Sequence, residues 1–133
     1  MDWNKFNNLS ILIIDDDQFT RELIETILKK IPNISIYQAS DGKEALKIVD
    51  EVELDMVFLD LYMPNMNGKE FMDSLRKNDR RESFPIVLIT TDRLTKGELS
   101  DIGANYYLTK PFNFSTFLGK THSFLEEFKS NET

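Results

Sequence analysis

No cysteine occurs in the chain, so neither a disulfide framework nor a thiolate metal site is open to it. No stretch approaches the roughly 18 consecutive apolar residues that mark a membrane-spanning helix. The opening residues, Met1-Asp2-Trp3-Asn4-Lys5, lack the basic start and apolar stretch of a secretory signal. A cytoplasmic location is the simplest expectation. Internal repeats, low-complexity tracts and internal linkers are missing too. Cations are in the minority: 16 Lys and Arg against 23 Asp and Glu leave a formal net charge of -7. That balance disfavours non-specific binding to nucleic acid, whose affinity comes mainly from Lys and Arg meeting phosphates. It leaves open a basic protein partner, or a DNA-binding domain elsewhere in a longer protein. What is present is an ordinary globular composition, 41% hydrophobic and 29% charged over 133 residues, which suits one domain with one core.

Short apolar runs alternate with segments of helical period. Ile11-Leu12-Ile13-Ile14, Met56-Val57-Phe58-Leu59 and Ile86-Val87-Leu88-Ile89 are continuous and rich in β-branched residues. Continuity, rather than alternation, predicts parallel strands covered by helices on both faces. Ile34-Ser35-Ile36-Tyr37 and Tyr106-Tyr107-Leu108 are more mixed and are expected at the sheet edges. Five helical patterns separate the strands. Phe19, Leu23, Ile24, Ile27, Leu28 and Ile31 form the first apolar stripe, stopped by Pro32. Ala45, Leu46, Ile48, Val49 and Val52 form the second, with Asp41 as its N-cap and Glu44 three residues on. The third carries Phe71, Met72 and Leu75 behind Asn67-Gly68, and the fourth, from Thr95 to about Asp101, is short and weakened by Gly97. The fifth, beginning after Pro111, carries Phe114, Phe117, Leu118, Thr121, Phe124, Leu125 and Phe128. The pattern specifies a three-layer α/β domain over residues 1–133 with right-handed crossovers. Its core is expected at about residues 9–128, with loose ends at 1–8 and 129–133.

Each strong apolar run ends in polar residues of a particular kind: Asp15-Asp16-Asp17, then Asp60, then Thr90-Thr91-Asp92, with Thr109-Lys110-Pro111 after the last strand. In an open parallel sheet, ligands bind outside the carboxyl ends of the strands, so these groups should meet on one rim. Carboxylates from two neighbouring strands make a hard oxygen site of the kind Mg²⁺ takes together with water and a phosphate. Without a cation they should repel and raise one another's pKa. A lysine and a hydroxyl beside them supply a positive charge and a donor for a phosphoryl group. Taken singly, Asp17 reads as a helix N-cap, Lys110 as an exposed lysine and Thr90 as a strand-end residue. Jointly they specify phosphoryl transfer, in which positioning and electrostatics do most of the catalysis.

The stretches ILIIDDD, DMVFLDLYMPNMNG, PIVLITTD and YYLTKPF resemble the receiver domains of two-component response regulators, in order and from about Leu9 to Phe128. Asp41-Gly42-Lys43-Glu44-Ala45-Leu46 resembles that family's second-helix opening. The resemblance implies a doubly wound, flavodoxin-like five-stranded parallel sheet of order 2-1-3-4-5. It implies Asp60 as the phosphorylated aspartate, with Asp15 and Asp16 holding Mg²⁺ (or Mn²⁺ in its place) and the Tyr62 backbone carbonyl as a further ligand. Thr90 matches the switch hydroxyl and Lys110 the lysine that contacts the acceptor carboxylate. The Lys110–Pro111 bond is expected to be cis. Tyr107 matches the aromatic switch, against a plain reading as an edge-strand aromatic. The implied partners are a histidine kinase or histidine phosphotransfer domain and a downstream protein, with no direct contact to nucleic acid or membrane. The only histidine, His122, lies inside the fifth helical pattern and reads as structural, not as a relay site.

Three departures stand out. Thr91 replaces the very small residue usual after the switch threonine. Tyr62 and Asp92 flank the acceptor and are expected to alter autodephosphorylation. The segment from Thr90 to Lys110 is about two residues shorter than the family's usual spacing, which puts output through the fourth helix in doubt. The leading expectation is a self-phosphorylating switch, not a turnover enzyme, and the polar end at Glu132-Thr133 suits a stand-alone receiver. Three alternatives come from other classes. A pseudo-receiver would keep the fold without phosphorylation. An aspartate-nucleophile phosphatase of the haloacid dehalogenase type would need a second acid where Tyr62 stands. A flavin carrier would need amides and hydroxyls where the first turn has acids.

Overall fold

A computed structural model of the chain describes residues 1–63, 66–77 and 83–131. Five strands alternate with five helices: β1 (Ser10–Ile14), α1 (Gln18–Leu28), β2 (Ser35–Ala39), α2 (Gly42–Glu51), β3 (Met56–Asp60), α3 (Gly68–Lys77), β4 (Ile86–Thr90), α4 (Lys96–Ile102), β5 (Tyr106–Thr109) and α5 (Phe114–Ser130). All strand pairings are parallel, in the order β2-β1-β3-β4-β5. The register sets Ile14 beside Leu59, Asp60 beside Ile89 and Thr90 beside Thr109. The ends of β1, β3, β4 and β5 therefore come out on one rim.

The continuous apolar runs are explained by burial on both faces. Every residue of β3 and β4 is buried, while edge strand β2 is mostly half-exposed. One core layer packs Leu12, Val57 and Leu88 against Ala45, Val49, Phe71 and Leu75. The other packs Ile11, Phe58 and Val87 against Ile24, Ile27, Phe117 and Leu125. A fully buried side chain of this size contributes about 1.5–3 kcal/mol, so the two layers dominate the stability.

The helix starts are set by local chemistry. Asp17 and Asp41 accept the N–H groups of Phe19 and Glu44. Asn67 and Glu70 exchange reciprocal side chain to backbone bonds at the start of α3. Asn113 caps α5 by accepting from Thr116 N–H, so that helix begins later than Pro111 alone suggests. Although only seven residues long, α4 opens with a complete capping box between Thr95 and Glu98. It closes on Gly103 at φ 92°, a left-handed conformation that glycine adopts without steric cost. Those two ends offset the weakening expected from Gly97.

Four expectations are corrected. Residues 1–8 are not loose: Phe6 is buried, and Trp3 and Phe6 stand edge-on to the His122 ring at 4.8 and 5.4 Å. His122 Nε2 lies 2.8 Å from the Asp2 carbonyl and its Nδ1 2.9 Å from Glu126, while Lys5 bonds Glu126 as well. The chain end is also more ordered than expected, since α5 runs through Ser130 and Lys129 pairs with Asp55 at 3.6 Å; residues 132–133 lie outside the described set. Phe19 and Leu23 are exposed rather than in the α1 stripe, Phe19 at 74%. Phe114 is likewise exposed at the start of α5. Both phenylalanines occupy the first turns of their helices.

Candidate phosphoacceptor and metal site

Asp15 follows directly on β1 and Asp60 ends β3, so neighbouring strands bring them together. Asp15, Asp16 and Asp60 each offer a carboxylate oxygen, and these oxygens lie within 4.8 Å of one another. Asp15 is 2% and Asp60 8% exposed, whereas Asp16 faces solvent. Asp15 Oδ1 accepts the Asp17 N–H at 2.9 Å, and Asp60 Oδ1 accepts the Tyr62 N–H at 3.2 Å. Asp15 Oδ2 is buried and makes no hydrogen bond. Lys110 Nζ lies 3.8 Å from it, close enough for an ion pair.

Burial pushes Asp15 up from the ordinary carboxylate value to about 6, against the Asp17 N–H, with the Asp60 charge adding to the rise. Asp60 is also raised, first by burial, while the Tyr62 N–H and Lys110 oppose the shift. Two buried acids whose pKa values are raised, first by burial, form a site where ionised carboxylates lack compensating positive charge. A hard divalent cation supplies it, and an orphaned buried carboxylate oxygen is the ligand such an ion takes. The donor set is compatible with a divalent metal.

Thr90 is buried at the end of β4, where its Oγ1 accepts the Asp92 N–H at 3.1 Å. The Lys110 N–H donates to the Thr90 carbonyl at 2.8 Å, and the Lys110–Pro111 bond is cis. Thus the structure gathers Asp15, Asp16, Asp60, Thr90 and Lys110 on one rim. One contact differs from expectation: the ion pair of Lys110 is with Asp15, not with Asp60. Asp15 is the buried acid with an oxygen that makes no hydrogen bond, so it draws the ammonium.

The loop after β3 turns on Gly68, whose N–H donates to the Leu61 carbonyl at 3.1 Å. A Cβ there would lie 3.2 Å from Leu61 Cα and O, so the close approach favours glycine. Pro64 lies outside the described residues.

A family model described as the response regulator receiver domain matches residues 11–122. The chain belongs to this family. It is 29% identical to Protein PilG of Pseudomonas aeruginosa over 92% of this chain and 91% of that protein. Over 80% of its length it is 31% identical to a protein-glutamate methylesterase/protein-glutamine glutaminase of Treponema pallidum, and spans about a quarter (27%) of that longer relative. Among solved structures, chemotaxis protein CheY4 of Vibrio cholerae superposes with a TM-score of 0.79 at 30% identity, covering 87% of this chain and 98% of that one. The receiver fold, the flavodoxin-like strand order and the acid pocket agree with one another.

Around the pocket, this receiver has features of its own. Tyr62, 63% exposed, donates its hydroxyl to Asp92 Oδ2 at 2.6 Å, and that acid raises the phenol's pKa. The pair links the residues beyond Asp60 and Thr90, along an open groove of about 520 Å³ that also touches Arg93, Glu98 and Ile102. Thr91 is exposed. Tyr107 is half-buried on β5 and packs at the edge of the α2/α3 core layer. Arg21 escapes sequence reasoning. Its guanidinium reaches the Asp15 carbonyl and Gln38, 17 residues away, and no local spacing announces such a contact.

Proposed function

We propose that Asp60 is the acceptor of a phosphoryl group, taken from a phosphohistidine on a histidine kinase or histidine phosphotransfer domain. The observation that carries this reading is the convergence of three carboxylates, one with a buried unpartnered oxygen, beside Thr90 and Lys110. Asp15, Asp16 and Asp60, with the Tyr62 carbonyl, would hold Mg²⁺, for which Mn²⁺ could substitute. When bound there, such an ion would supply positive charge against the negative charge of the phosphoryl group. An Asp60 oxygen attacks phosphorus, the P–N bond to the donor imidazole breaks, and an acyl phosphate forms while the imidazole leaves neutral after taking up a proton. Lys110 exchanges its pairing with Asp15 for the new dianion. Thr90 releases the Asp92 N–H and turns its hydroxyl to donate to a phosphoryl oxygen. Tyr107 follows into the space vacated, which shifts the population between two surface shapes read by a downstream protein.

The receiver is a switch that modifies itself and turns over no external substrate. Residues 1–133 act as one domain, and its site of action in this reading is the cytoplasm, where a kinase would meet it. No helix among the described residues is long and apolar enough to cross a membrane. The acidic charge gives no support to direct contact with nucleic acid. Intact mass after incubation with acetyl phosphate tests the reading: one phosphoryl addition that needs Mg²⁺ is expected. No addition, with a beryllofluoride mimic also failing to bind, would establish the pseudo-receiver instead.

The Tyr62–Asp92 bond joins the residues two positions beyond Asp60 and Thr90, and in this reading it governs how water reaches the acyl phosphate. Tyr62→Phe and Asp92→Ala should each change the lifetime of the phosphorylated form, and the double variant should change it by less than the product of the two. Unchanged lifetimes would show that the pair is only a surface contact.

A further inference from the structure

Successive residues of an extended chain point to opposite sides. For Asp15 and Asp16 to serve one ion, the backbone leaving β1 must be held out of that alternation. The Asp15 N–H is fixed by the Ala39 carbonyl at 3.1 Å, which extends the ladder with β2 by one residue. Its carbonyl is fixed by a side chain. Arg21, half-buried on α1, donates from Nη1 to the Asp15 carbonyl at 2.6 Å and from Nε to Gln38 Oε1 at 3.0 Å. Gln38, on edge strand β2, donates in turn to Glu25 Oε1 at 3.2 Å, one turn further along α1. Asp15 is therefore held at both ends of its backbone, with the carbonyl tied to a network that spans α1 and β2.

We propose that Arg21 is a positioning residue for the metal: by fixing the Asp15 carbonyl it sets the directions in which the Asp15 and Asp16 carboxylates face. This rests on the reading of these acids as Mg²⁺ ligands. The role is one of orientation, since the guanidinium addresses the carbonyl while the cation paired with the carboxylate is Lys110. The planar fork of arginine reaches two acceptors at once, which an ammonium on a flexible stem does not reproduce. Groups that orient metal ligands in this way typically cost about 10–100-fold in metal affinity when removed.

Titration calorimetry with MgCl₂ on the wild type, Arg21→Gln and Arg21→Lys tests this, with thermal melts of the same proteins without Mg²⁺. Both variants are expected to bind Mg²⁺ about 10-fold more weakly, and their phosphorylation by acetyl phosphate should recover once Mg²⁺ is saturating. Should Arg21→Gln fail to fold, Arg21→Lys and Gln38→Leu, which keeps Arg21 but removes an acceptor of its fork, carry the comparison. Folded variants that bind Mg²⁺ within about twofold of the wild type would overturn the inference, whatever their melting temperatures, and leave Arg21 a structural brace. A wild type that binds no Mg²⁺ would overturn the metal reading itself, and the inference with it.

Discussion

Replacing Asp15 with asparagine should raise the melting temperature of the Mg²⁺-free receiver and abolish its response to Mg²⁺. Asp15 is 2% exposed and has a carboxylate oxygen without a hydrogen bond. Burial, helped by the neighbouring Asp60, pushes it up from the ordinary carboxylate value to about 6. Each pKa unit corresponds to about 1.4 kcal/mol, so ionised Asp15 costs the fold about 3 kcal/mol. The folded protein holds the proton more tightly than the unfolded chain, so this stability is fully present below about pH 4 and is lost as pH rises through about 6. An asparagine side chain carries no such charge, though it loses the pairing with Lys110, and a net gain of about 2 kcal/mol at about pH 7.5 is expected. For a domain of this size that is a rise of about 5–10 °C. The difference between variant and wild type should shrink at about pH 5 and reverse in saturating Mg²⁺, because an ion bound at about 100 times its Kd stabilises by about 2.7 kcal/mol. Melts at these two pH values, with and without MgCl₂, check all three signs. A variant that melts below the wild type at the higher pH without Mg²⁺ would mean that Asp15 is not under electrostatic strain.

Lys110→Ala should slow both formation and hydrolysis of the acyl phosphate by about 100-fold. The equatorial phosphoryl oxygens carry the developing charge in both directions, and removing one preorganised donor at such a centre typically costs about 10²–10³ in rate. Lys110 already lies 3.8 Å from Asp15 Oδ2, with its backbone tied to Thr90 at 2.8 Å, so its ammonium has a short distance to travel. Lys110→Arg keeps the charge and should recover part of the rate, but a planar fork replaces a compact ammonium. Time courses by intact mass, from acetyl phosphate and after its removal, give both rates. A change of less than about threefold in both would place Lys110 outside the transition state.

Much of this is legible in the amino-acid sequence. Three continuous apolar runs read as strands covered on both faces, and the acids and hydroxyl at their ends then share a rim. The capping of α1 and α2 by Asp17 and Asp41 follows from equally local rules, whereas the strand order is what the family resemblance implies. What was not legible is non-local. Trp3 and Phe6 lie outside any periodic pattern, yet they pack against His122 on α5. Phe19 and Phe114 fit the helical period but sit exposed in first turns, where periodicity assigns burial that the fold does not provide. Arg21 lies off the apolar stripe of α1, and only the fold places Gln38 of β2 beside it. The pairing of Lys110 with Asp15 rather than Asp60 depended on which buried acid lacked a partner, which only packing reveals.

Whether the phosphoryl group goes to Asp60 is tested most directly by locating the modified residue. Reduction of the phosphorylated protein with borohydride converts an aspartyl phosphate to homoserine, which peptide mass spectrometry then places in the sequence. Homoserine in place of Asp60 alone, absent from a sample treated without Mg²⁺ and from Asp60→Ala, is the expected result. Homoserine in place of Asp15 or Asp16, or a phosphoryl group retained on His122 with none at Asp60, would contradict it.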